Sequence, residues 1–141
     1  MSELLVEIEG SGPSPGFRGA TADLVAFLSF AAAERYGSTH PLSTLARLLR
    51  REHGVDTHPF WEFDAAEPAD DEDRAALARL WQPGEALAAA SGAAARAVRE
   101  HQRLAALASD FPALTDRLDD LAAIAHGAAA SGRRVRLTYR L

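Results

Sequence analysis

Cysteine is absent from the 141 residues, which excludes disulfides, thiolate nucleophiles, iron–sulfur clusters and cysteine-ligated zinc. Lysine and asparagine are absent too, so all 15 basic residues are arginine. A phosphate-loop lysine, a Schiff-base lysine and N-glycosylation are therefore impossible. Together with the abundance of alanine, this pattern fits a GC-rich coding bias better than a functional design. Long apolar runs are missing as well. The longest nearly apolar stretch, residues 24–33, falls well short of the roughly 20 residues that a membrane helix needs. No basic n-region followed by an apolar h-region opens the chain. A soluble, cytoplasmic protein with no membrane partner is expected, and its net charge of −5 argues against a nucleic-acid partner.

What is present begins at the two ends. Residues 3–9 and 134–141 each alternate with period 2, the mark of a strand with one buried face. Leu4, Val6 and Ile8 oppose Glu3, Glu7 and Glu9; Val135, Leu137, Tyr139 and Leu141 oppose Arg134, Arg136 and Arg140. One strand is acidic outside and the other basic outside. Pairing them sets opposite charges across a ladder, worth about 0.2–1 kcal/mol for each facing pair, while both apolar faces cover one core. This predicts a single domain over residues 1–141, closed by its own termini.

Between them, residues 10–19 give the order strand, Gly-rich loop, helix that phosphate sites use. Pro13 and Pro15 remove the N–H donors such a nest requires, so a flexible surface connection is expected instead. Residues 21–36 are apolar around the whole axis through Leu24, Val25, Phe27, Leu28 and Phe30, which predicts a buried central helix. Pro41 starts a second helix ending at Gly54, with Leu42, Leu45, Leu48 and Leu49 as its stripe. Two helices joined by residues 37–40 invite a helix-turn-helix reading, which the net negative charge disfavours.

Residues 52–73 carry nine acidic groups and the aromatics Phe60, Trp61 and Phe63, with Pro59 and Pro68 keeping much of the stretch out of regular helix. Asp70 and Asp73 then cap a short helix bearing Leu77, Leu80 and Trp81. One long alanine-rich helix is expected over residues 85–108, with Leu87, Ser91, Ala94, Val98, His101, Ala105 and Ala108 as its stripe and a weak point at Gly92. Leu114, Leu118, Leu121, Ala125 and Ala128 mark the last helix.

Three constellations could carry chemistry. His53, Asp56, His58 and Glu62 are all ligands for a divalent metal, at a spacing that matches no mechanistic motif. His101 on a small-residue stripe could be a buried acid–base group, although a lone histidine there is more simply a core residue. Asp119 and His126 lie two turns apart on the last helix, with no nucleophile at a recognisable spacing.

The expectation is an α+β, mainly α, domain of about five helices around residues 21–36 with a small sheet made by the termini. Its expected function is that of a non-enzymatic interaction or regulatory protein, specifically an acidic inhibitor of the immunity or antitoxin kind. Asp56, Phe60, Trp61, Glu62 and Asp64 would contact a basic protein partner, with no cofactor. The alternative from another class is a metal-dependent or acid–base enzyme using the His53, His58 and Glu62 cluster or His101. A homodimer is expected, because a two-stranded sheet leaves open edges and the stripe of Ala94, Val98 and Ala105 permits close helix contact.

Overall fold

The computed structural model describes residues 3–13 and 16–140, so Pro15 and Leu141 lie outside the described residues. The two terminal strands pair as their charges require. β1 (Glu3–Ile8) runs antiparallel to β5 (Arg134–Arg140), with Glu3 opposite Arg140, Glu7 opposite Arg136 and Ile8 opposite Val135. Arg140 reaches Glu3 at 2.8 Å, Arg136 reaches Glu7 at 2.7 Å and Arg134 reaches Glu9 at 2.5 Å. On the other face Leu4, Val6, Val135 and Leu137 enter the core.

The sheet is larger than its two ends. β2 (Gly12–Pro13) folds back on β1, while β3 (Phe63–Ala65) and β4 (Gln82–Pro83) lie along the far edge of β5, parallel and antiparallel to it respectively. β5 therefore has a neighbour on both sides. Nor is the charged face fully wet. Thr138 on it is buried, and Arg136 lies 4.4 Å over the Trp81 ring and donates to the Leu77 carbonyl, so the segment around Trp81 roofs part of it.

The Glu9–Arg134 pair gives a pH prediction. Hydrogen bonding from Arg134 holds the Glu9 carboxyl below its ordinary 4.5. A depressed carboxyl stabilises the fold above its ordinary value, and that contribution disappears as pH falls through the folded-state value. In denaturant melts, Glu9→Gln should lose a small increment of stability at neutral pH and none once the pH is well below 4.5. Added salt should shrink the difference, since the pair is open to water. An equal loss at both pH values would reject the linkage.

Helices α1 (Ala22–Ala33), α2 (Pro41–Glu52), α4 (Gly84–Glu100) and α6 (Leu114–Ala130) build the body, with the shorter α3 (Asp71–Ala78) and α5 (Gln102–Leu107) at its margins. α1 is the central one. Leu24, Phe27, Leu28 and Ala31 are fully buried where it packs against α2, α6 and β1. A 3-10 turn, Glu34–Tyr36, ends it at Gly37, whose φ of +85° suits glycine. α2 begins at Pro41 under His40, which caps it through Nδ1 accepting the Leu42 N–H at 3.1 Å. Of the connection over residues 10–19, the described part beyond β2 is anchored at Arg18, which donates from both its backbone and its guanidinium to the buried Asp120 carboxylate.

α4 and α6 pack antiparallel and very close. A Cβ placed on Gly84 would stand 2.5 Å from the Ala125 carbonyl, and Arg99 at the other end of α4 pairs with Asp119 at 2.5 Å. Leu114, Leu118, Leu121, Ala125 and Ala128 all face inward, as their spacing requires.

The helix expected over residues 85–108 is two helices. It continues through Gly92 and breaks at His101, whose φ and ψ are −117° and 115°. The break turns α5 so that Leu104 enters the core while His101 and Ala105 of the expected stripe face water; Ala108, also on that stripe, is buried. Burying a leucine in place of an alanine offsets the few helical hydrogen bonds given up. Within the chain β5 has strands on both sides and Ala94 and Val98 are buried in the core, whereas among the described residues β2 pairs with the outer side of β1 only at Glu7 and Ile8 and Ala105 is exposed. Among the described residues no helix is long and apolar enough to cross a membrane.

Candidate partner-binding surface

The acidic, aromatic stretch after α2 is more ordered than its prolines suggest. Asp56 accepts the His58 N–H at 3.1 Å and so fixes the start of a 3-10 turn, His58–Trp61, with Pro59 at a position where no N–H is needed. β3 follows directly. At about three residues per turn, consecutive side chains diverge by about 120°, so Phe60 and Trp61 cannot share an environment. Phe60 points inward, fully buried and edge-on to Phe27 with ring centres 5.3 Å apart. It is a core residue and is removed from the set of partner contacts. Phe63, half-buried, leans on Tyr139.

Trp61 stays at the surface, half-buried. The Arg35 guanidinium lies 5.0 Å over its ring and 5.1 Å over the ring of Tyr36, while His58 meets the indole edge-on at 5.3 Å. Arg35 is itself held by donating Nε–H to the Ala32 carbonyl at the end of α1, where the helix dipole favours a cation. Tyr36 is 81% exposed. Glu62 sits 3.5 Å from the His58 imidazole, and the exposed Asp64 side chain on β3 accepts its neighbour's N–H. The indole N–H of Trp61 is buried without an acceptor among the described residues.

Of the residues expected here, Asp56, Trp61, Glu62 and Asp64 remain at the surface. Arg35 and Tyr36 were missed. The available signal was an aromatic beside a charge at a polar helix end, just before the glycine that stops it.

The metal set does not gather. His58 is next to Glu62, but His53 closes α2 and its ring turns to His101, 4.3 Å between centres. Among the described residues no group of three or more histidine, aspartate or glutamate side chains converges as an ion would require. His101 is exposed, so it is not the buried acid–base group considered above. Asp119 does not meet His126 either: it accepts from Arg99, which raises the guanidinium further above its ordinary value. An open groove of about 710 Å³ runs elsewhere, between α4 and α6, walled mainly by alanine. No family model, curated protein or solved structure matches the chain.

Proposed function

We propose that this is a non-enzymatic interaction protein, an acidic inhibitor or regulator that meets a basic protein partner through the surface around Trp61. The observation that carries this reading is the Tyr36–Arg35–Trp61 plate, in which one guanidinium spans two rings while Tyr36 is 81% exposed. Tryptophan, tyrosine and arginine are the residues in which binding energy concentrates. A plate already assembled in the free protein loses little side-chain entropy on docking. Asp56, Glu62 and Asp64 give the rim a negative field that speeds encounter with a positive surface. A cytoplasmic location and a homodimer complete the proposal, and both rest on sequence composition and patterning alone.

Capture from a lysate of the source cells tests the reading. The wild-type chain should retain one stoichiometric basic protein, less firmly as salt rises, and Tyr36→Ala should lose it without a change in melting temperature. Retention by Tyr36→Ala equal to that of the wild type would reject this surface.

A further inference from the structure

We propose that His53 and His101 together bind one divalent transition ion, Cu²⁺ more tightly than Ni²⁺ or Zn²⁺. The two residues occupy equivalent places. α2 ends at Glu52 with His53 as its cap, and α4 ends at Glu100 with His101 as its cap. The break at His101 brings these two ends together, with imidazole centres 4.3 Å apart and rings tilted by 45°. Each helix end presents unsatisfied carbonyls equivalent to about half a negative charge. Glu52 and Glu100 add a carboxylate at each end, opposed by Arg103, which lies 3.9 Å from Glu52. A cation is favoured where the rings meet.

The competing account is that the rings merely pack. His40 shows what a packed imidazole looks like in this protein: it lies flat on Phe30 at 3.6 Å and 1°, and its Nδ1 is taken by the Leu42 N–H. His53 and His101 differ in their nitrogens: among the described residues no hydrogen bond engages any of them. Neutral imidazole nitrogen is the preferred protein ligand for borderline divalent ions, in the order that places Cu²⁺ first. Metal–nitrogen bonds of about 2.0–2.1 Å need two nitrogens within about 4 Å of each other. Rings 4.3 Å between centres supply that by rotation of the side chains. His101 is exposed and His53 only partly buried, so water completes the coordination. The site uses neither Trp61 nor its acidic rim and stands independently of the interaction reading.

Titration of the untagged protein with Cu²⁺ alone, followed by calorimetry and electron paramagnetic resonance, decides it. One ion per chain should bind, with hyperfine structure from two nitrogens. His101→Ala, at an exposed position, should weaken binding by about tenfold or more and leave one nitrogen, and His53→Gln should do the same. His58→Ala and His126→Ala should leave both readouts unchanged. Binding in His101→Ala equal to that of the wild type would overturn the proposal. So would a loss confined to His58→Ala, which would return the ion to the group of Asp56, His58 and Glu62. Equal weakening by every histidine variant would reduce it to scattered surface binding and overturn it as well.

Discussion

Deleting residues 135–141 is expected to abolish the cooperative unfolding transition. β5 is the strand on which the sheet is assembled: β1 pairs with it along six residues on one side, and β3 and β4 divide the other side between them. The deletion removes Val135 and Leu137, both fully buried, each worth about 1.5–3 kcal/mol of apolar burial. It also strips three strands of their ladder partner, at about 0.5–1.5 kcal/mol per hydrogen bond, and leaves the buried carbonyls and amides unsatisfied. Against a total stability of about 5–15 kcal/mol, that loss leaves no folded state to melt. Calorimetry or circular dichroism should show a broad, non-cooperative profile. A truncated chain melting like the full-length one would mean that the helices hold without the sheet. By contrast, Arg140→Ser removes only a solvent-exposed pair with Glu3 and should cost no more than about 1 kcal/mol.

The terminal strands were legible because two independent signals agreed, apolar alternation and opposite charge on the remaining positions. The α6 stripe was legible for a related reason: leucines at steps of three and four residues leave a helix one way to sit. The break at His101 carried no such signal. Nothing local forces it, and the outcome turns on whether Leu104 or Ala105 fills a space that α2 helps to define. β3 was hidden by its length, because three residues, Phe63, Asp64 and Ala65, cannot display a period. At the candidate surface, composition located the stretch and its acids. It could not say which of two adjacent aromatics faces inward, since a 3-10 turn separates them by about 120° whichever way it is rotated. Arg35 and Tyr36 joined Trp61 only through the fold, from a position more than twenty residues earlier in the chain.

The division between Phe60 and Trp61 is the sharpest test of the surface. Phe60→Ala should destabilise the protein by about 3–5 kcal/mol, because a fully buried ring in edge contact with Phe27 leaves a cavity that α1 cannot close without moving. Trp61→Ala should cost only about 1–2 kcal/mol, since the indole is half-buried and its N–H has no hydrogen bond to lose. The partner affinities should separate in the opposite sense. Trp61→Ala removes one ring from under the Arg35 guanidinium and should lose the captured partner while remaining folded. Phe60→Leu, which keeps an apolar side chain in the core, should retain that partner. Urea melts of the three variants beside capture by the folded ones distinguish the roles. If Trp61→Ala loses as much stability as Phe60→Ala, the indole is a core group and the Tyr36–Arg35–Trp61 plate is not a docking surface.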